Sequence, residues 1–257
     1  MKIYQEDLWD VSRYLEQHRG SPLERYENQF TGYVRPVEAV KKIDASTRML
    51  EIGVGTGWFP IMCKLRGWQC KGLEISPQLI EYAKEWGCSV GAEPDIELGN
   101  IEETKLPDNH YDVIICSNVF EHVEDWRLGV RRVHAALKPG GVMFFESTSK
   151  FSFTSGEYHF PLYGWYPNGA RYFLRKKLQH PDIMKLGIDF HQFRHSGLRR
   201  EFQKAGFRKI LDRVDMAQED LVSSELRRKV VRISKAVPLV KAVSLAFSDA
   251  TRFLCVK

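Results

Sequence analysis

The 257-residue chain lacks an uncharged apolar run long enough to span a membrane. The nearest stretch, residues 236–247, is interrupted by Pro238 and Lys241. No cationic-then-apolar leader stands within residues 1–20, so no secretory signal is read there. The five cysteines, at positions 63, 70, 88, 116 and 255, show no CxxC spacing and sit in apolar stretches. They read as the reduced thiols of a cytoplasmic protein and exclude a zinc ribbon or a disulfide frame. Internal repeats and low-complexity tracts are missing, as are a Ser-His-Asp order and a cysteine nucleophile elbow.

Charge is present but unevenly spread. The chain carries a net +5, with 43% hydrophobic and 28% charged residues, an ordinary globular balance with ample core. Residues 193–257 hold 15 Lys and Arg against 7 Asp and Glu, whereas the first 192 residues hold 23 against 26. The basicity therefore belongs to the C-terminal quarter.

Short apolar runs alternate with amphipathic stretches of helix length, the pattern of a parallel sheet covered by helices on both faces. Strands are expected at 48–52, 70–75, 95–99, 111–117 and 141–147, with helices near 57–66, 77–87 and 124–137. Ser76 and Pro77 open the second of these helices as cap and first-turn residue. "LKPGG" at 137–141 is expected to end the third and turn into the fifth strand. A further helix and strand follow in "RHSGLRREFQKAGFRKILDRV", and "ATRFLCVK" reads as a last strand.

Three glycines, at 53, 55 and 57, follow the first strand and precede a helix, placing backbone N–H groups and a helix N-terminus against a ligand. A dinucleotide fingerprint would need a glycine at 58, where this chain has Trp58. Glu51, inside the strand, suggests a ligand with positive character instead. Glu74 ends the second strand 23 residues later, where a carboxylate can accept both hydroxyls of a ribose. Asn100 and Ile101 follow the third strand, placed to read an adenine edge with a side-chain amide and a backbone N–H.

The successive segments "EIGVGTG", "LEIS", "GNIEE", "YDVIICSNVFEHV" and "LKPGGVMFFES" resemble the ordered motifs of class I S-adenosylmethionine-dependent methyltransferases. The likeness is nearest to the small-molecule group that includes the ubiquinone-biosynthesis O-methyltransferases. It covers about residues 45–150, with "HSGLRREFQKAGFRKI" matching a later helix and strand. The resemblance implies an α/β fold: a Rossmann-like, doubly wound, mostly parallel seven-stranded sheet with helices on both faces. It implies S-adenosyl-L-methionine as cofactor, with Gly53, Gly55 and Gly57 against its methionine part and Glu51 supporting its amino group. Glu74 would hold the ribose, and Ile75, Asn100, Ile101, Ser117 and Asn118 would complete the cradle.

A methyltransferase domain over 1–257 is expected, with a helical cap at 1–44, a cofactor core at 45–150, an aromatic insert or lid at 151–192 and a basic end at 193–257. Methyl transfer to a hydroxyl needs alignment, a dry pocket and removal of a proton. His122, with Glu121 to orient it, is the candidate base, and His191 a candidate at the substrate mouth. His159 and His195 read as surface histidines. The related enzymes carry an acidic metal ligand where this chain has Asn118, so no obligatory metal is expected.

Over 151–192, Phe153, Tyr158, Phe160, Tyr163, Trp165 and Tyr166 could form a substrate wall or a satellite core. Residues 223–247 read as one basic amphipathic helix kinked at Pro238. Leu226, Val230, Ile233, Val237 and Val240 share one face, with Arg228, Arg232 and Lys235 opposite, joined by Arg227 and Lys229. Such a helix either packs its apolar face on the domain or meets anionic lipid or a phosphorylated substrate. The expected partner is a small-molecule acceptor, with weak peripheral contact at an anionic membrane as an open alternative. A nucleic-acid acceptor is disfavoured, because "SNVFEH" lacks the paired prolines of base-amine methylases and the charge forms no groove-long stripe. A non-catalytic scaffold stays open on fold alone. Acceptor, methylated atom and oligomeric state are not legible.

Overall fold

The computed structural model describes residues 11–154, 161–178, 189–218 and 224–257. Helix α1 (Ser12–His18), a 3-10 turn at Leu23–Tyr26 and α2 (Glu27–Glu38) precede the first strand. Then come β1 (Arg48–Ile52), α3 (Trp58–Leu65), β2 (Gln69–Glu74), α4 (Pro77–Ser89), β3 (Asp95–Leu98) and β4 (Tyr111–Ser117). A 3-10 turn at Phe120–His122 leads into α5 (Trp126–Ala136), β5 (Leu137–Thr148) and α6 (Asn168–Leu178). The chain continues through α7 (His195–Ala205), β6 (Lys209–Asp212), α8 (Arg213–Met216), α9 (Glu225–Ala236), α10 (Pro238–Ala246) and β7 (Ala250–Val256).

The seven strands form a single sheet in the order β3-β2-β1-β4-β5-β7-β6. The first five are parallel, and β7 runs antiparallel between β5 and β6. Strand order reverses beside β1, and ligands of open α/β sheets bind outside the carboxyl ends of the strands at such a switch point.

Successive residues of each central strand point to opposite faces. Leu50, Ile114, Phe145 and Phe253 pack under Trp126, Val130, Leu198 and Phe202 of α5 and α7. Their neighbours Met49, Val113, Phe144 and Leu254 pack under Phe30, Val37 and Phe59 of α2 and α3. Two apolar layers enclose the sheet, which is why its strands read as continuous apolar runs. Ser76 caps α4, its Oγ accepting from the Leu79 amide at 3.3 Å, with Pro77 at the first helical position.

Two sequence expectations are corrected. Strand β5 begins at Leu137 and not 141, because Leu137 pairs with Tyr111. The Lys257 ammonium also donates to the Leu137 carbonyl at 2.7 Å and straps the "KPGG" turn. The stretch read as one kinked helix over 223–247 is two helices, with residue 223 outside the described residues. Val237, preceding Pro238, is driven to an extended conformation (φ −119°, ψ 108°), which ends α9. The insert expectation falls partly on residues 155–160 and 179–188, Tyr158, His159 and Phe160 among them, outside the described residues. No helix among the described residues is long and apolar enough to cross a membrane.

Candidate functional site

A cavity of about 540 Å³ opens at the carboxyl ends of β1, β2 and β4, within the range typical of small-molecule sites. Its floor is the stretch from Gly53 to Gly55, and all three glycines of the loop, at 53, 55 and 57, have positive φ (72°, 57° and 83°). Their roles differ. A Cβ on Gly53 would lie 2.2 Å from Val119 Cγ2, and one on Gly57 2.4 Å from the Ala83 Cβ. These two glycines permit packing within the protein. A Cβ on Gly55 would meet only the Tyr14 hydroxyl, at 3.4 Å, and otherwise point into the cavity. Gly55 is therefore the glycine that keeps room for a ligand. Gly57 is corrected from ligand contact to helix packing, since it caps α3 and does not line the cavity.

Glu74 fixes that loop. Its Oε2 accepts from the Gly55 amide at 2.9 Å, and its Oε1 from the amides of Ile75 at 2.8 Å and Ser76 at 3.1 Å. Burial pushes the carboxyl above the usual range, and these hydrogen bonds oppose that shift. With the Val54 amide also acting on it, these bonds engage most of the carboxylate's about four lone-pair sites.

Glu51 is the contrasting acid. It is buried and lines the cavity, and its Oε2 meets no donor among the described residues. Burial first, and then Cys70 and Glu74, push its carboxyl well above the ordinary range. A buried carboxylate without a partner is costly, and a cationic amine entering the cavity would relieve it. Together with the open space over Gly55 and the ribose-type acid Glu74, this fits an amino-acid nucleoside of S-adenosylmethionine type.

Ile75, Asn100, Ile101, Ser117 and Asn118 all line the same cavity. Asn118 holds φ 53°, a left-handed position that asparagine tolerates better than most residues, and its amide donates to the Glu146 carbonyl at 2.9 Å. Glu121 and His122 line the wall beyond it. Glu121 is fully buried, and its Oε2 accepts from Ser147 Oγ at 2.7 Å. It holds the His122 turn against β5.

His191 is corrected. It does not line the cavity; its Nε2 pairs with the Glu124 carbonyl at 3.0 Å and its ring packs near Trp126 and Phe193. His195 also lies elsewhere, stacked on Phe253 at 4.2 Å, and burial pulls its imidazole down to about 4. Among the described residues no cluster of three carboxylates, histidines or cysteines could hold a metal ion.

Sequence reasoning missed the roof. Tyr14, Gln29 and Tyr33 of the N-terminal helices line the cavity, as does Trp58. Gln29 donates to the Tyr33 hydroxyl at 2.7 Å, and that hydroxyl pairs with Ser117 Oγ at 2.6 Å, linking α2 to the end of β4. Glu146 was missed too, although an acid closing an apolar strand is the signal that marked Glu74. It lines the cavity and pairs with Arg252.

Residues 26–211 match a family model described as a methyltransferase domain. A ubiquinone biosynthesis O-methyltransferase of Marinobacter nauticus is 30% identical over 163 residues, covering 60% of this chain and 64% of that protein. A malonyl-[acyl-carrier protein] O-methyltransferase of Serratia marcescens is 29% identical over 100 residues, 39% of this chain and 38% of that one. The chain thus spans less than two thirds of the length of these curated relatives. Among solved structures, a SAM-dependent methyltransferase from Archaeoglobus fulgidus superposes with a TM-score of 0.57 at 17% identity, covering 96% of this chain and all of that one. Phosphoethanolamine N-methyltransferase 2 of Haemonchus contortus, in complex with S-adenosyl-L-methionine, gives 0.58 at 16%, covering 90% and 52%. At such identities the structural likeness shows the fold alone.

Proposed function

The chain belongs to the methyltransferase-domain family, and from that premise we propose that it takes S-adenosylmethionine as its methyl donor and methylates a hydroxyl oxygen of a small-molecule acceptor. The observation that carries the reading is the cavity itself. It places a donor-less buried carboxylate, Glu51, and an open glycine loop in one space with His122.

When bound, S-adenosylmethionine supplies a methyl group activated by a sulfonium sulfur. Glu51 would receive the ammonium of its amino-acid part, and Glu74 would accept ribose hydroxyls beside the Gly55 amide. Asn100 and Ile101 would border the base. Tyr33, held by Gln29 and Ser117, and the stacked pair Tyr26–Trp58 (5.3 Å) wall off water on the side of α2. His122 would take the acceptor's hydroxyl proton on an imidazole nitrogen as general base. Glu121, locked by Ser147, keeps the backbone of that turn in place. The two O-methyltransferase relatives support oxygen as the target.

Incubation with methyl-deuterated S-adenosylmethionine and a panel of phenols, carboxylic acids, amines and oligonucleotides tests this by mass spectrometry. Label in an ether or ester is the expected outcome. Label confined to amines or to nucleic acid would overturn it.

A further inference from the structure

The α9–α10 hairpin turns its apolar side away from the sheet. Along α9, Leu226 (72% exposed), Val230, Ile233 and Val237 form one stripe at helical spacing. Leu239 (74% exposed), Val243 and Phe247 continue it along α10. The side facing the body carries polar anchors beside the buried Leu245. Ser234 and Ser244 pair their hydroxyls between the two helices at 3.0 Å, and Lys241 reaches Asp212 at 2.9 Å and Asp215 at 2.5 Å. Lys235 donates to the Ala217 carbonyl at 2.7 Å. A surface helix ordinarily hides its apolar stripe against the core. This hairpin is anchored by its polar side and presents the other.

Three aromatics extend the patch. Phe247 stacks on Phe153 at 5.4 Å with the rings 13° apart, and Trp165 lies 6.1 Å from both. All three are exposed. Their chain neighbours Ser152, Thr154, Gly164 and Asp249 line the cavity described above. The patch therefore borders the cavity mouth. Alongside it stand the exposed cations Arg227, Arg228, Lys229 and Arg232, and residues 224–247 hold six basic residues and one acidic.

We propose that this face docks the protein on an anionic lipid bilayer, with the cavity mouth beside the lipid. The occupant follows from the combination. An apolar stripe flanked by Lys and Arg, with Trp and Phe at its edge, matches the boundary between acyl chains and anionic headgroups. A second copy packed by a two-fold axis would bring the two basic flanks together, which like-charge repulsion opposes. The acceptor is then a membrane-resident molecule entering from the lipid side, an extension that rests on the methyltransferase reading; the docking itself does not.

Sedimentation of the full chain with vesicles tests the docking. Pelleting is expected with vesicles containing phosphatidylglycerol and not with phosphatidylcholine alone. It should fade between about 0.1 M and about 1 M salt, as the Debye length shrinks from roughly 10 to 3 Å. Arg228→Gln/Arg232→Gln should lower partitioning by about thirtyfold, the expectation for two basic residues near an anionic surface. Leu239→Ser/Val243→Ser should lower it by about tenfold or more through lost apolar insertion. Both variants change exposed side chains, so melting temperature and S-adenosylmethionine affinity should stay at wild-type values. Absence of pelleting, equal pelleting with neutral vesicles, or concentration-dependent dimerisation abolished by Leu239→Ser/Val243→Ser would overturn the proposal. Failure with cofactor affinity intact would leave the methyltransferase reading standing.

Discussion

The Gly55 amide and the Glu74 carboxylate are bonded at 2.9 Å, so the loop after β1 and the end of β2 form one rigid unit. The acid proposed to hold a ribose also sets the shape of the glycine floor. Glu74→Ala should therefore fail twice. Three amides lose their acceptor, each unsatisfied group costing about 1–3 kcal/mol, and cofactor affinity falls with them. Glu74→Gln, which keeps one carbonyl acceptor, should melt closer to wild type yet still bind the cofactor weakly. Calorimetry and thermal melting check this; wild-type affinity in both variants would contradict it.

Gly53 and Gly55 should separate under substitution. Gly53→Ala drives a Cβ into Val119 and should lower the melting temperature sharply. Gly55→Ala meets only the Tyr14 hydroxyl at 3.4 Å, so it bears mainly the left-handed strain of about 1–2 kcal/mol. It should fold and lose cofactor affinity, and the branched Gly55→Val should abolish binding. Equal affinity in Gly55→Ala and wild type would remove Gly55 from the ligand floor.

Glu51 predicts a pH signature. Its carboxyl in the ligand-free fold sits well above the ordinary 4.5. The folded protein then keeps a proton that the unfolded chain releases. The stability this contributes is full below the unfolded value and is lost as pH rises through the folded one. Subtracting the Glu51→Gln melting curve from wild type should show a difference that grows against wild type as pH rises above 4.5. The subtraction removes the carboxyls held low by their partners, such as Asp112 and Asp215, which slope the other way. Glu51→Gln should also bind S-adenosylmethionine more weakly. A flat difference curve with unchanged affinity defeats the assignment.

Replacing His122 should split binding from turnover. His122→Ala is expected to keep cofactor affinity and to lose on the order of 10²–10⁴ in kcat toward a hydroxyl acceptor, the usual size of a base contribution. The loss should shrink at high pH, where the acceptor ionises unaided. Unchanged kcat would assign the proton to another group.

The cofactor half of the site was legible because its chemistry forces residue types at strand ends: a glycine where a Cβ would intrude, a carboxylate where a diol or amine must be met. Glu51, Glu74 and Asn100 are read that way, and the structure brings all three to one cavity. Tyr33 and Trp58 were not, because an aromatic at helical spacing looks the same whether it faces core or ligand. His191 was misplaced for a related reason. Its position in the chain is beside the site, but its ring turns to the Glu124 carbonyl and the Trp126–Phe193 pair, a choice that tertiary packing makes. Pro238 reads in the sequence as a kink in one helix where the structure has a break between two; which side of the hairpin would face solvent depended on Asp212 and Asp215, supplied by another part of the chain.

The place of β7 has a consequence for biosynthesis. On the outer edge of β5, Phe145 finds its register partner in Phe253, and Leu211 of β6 finds its partner in Leu254. While the chain is still emerging from a ribosome, β6 has no neighbour, and β5 leaves a bare apolar edge that invites pairing with other nascent chains. Strands β1 to β5 can pair earlier, from partners already translated. Five of the seven strands can thus form during synthesis, while β6 must wait for residues 250–256 and the outer edge of β5 depends on whatever shields it in the interval.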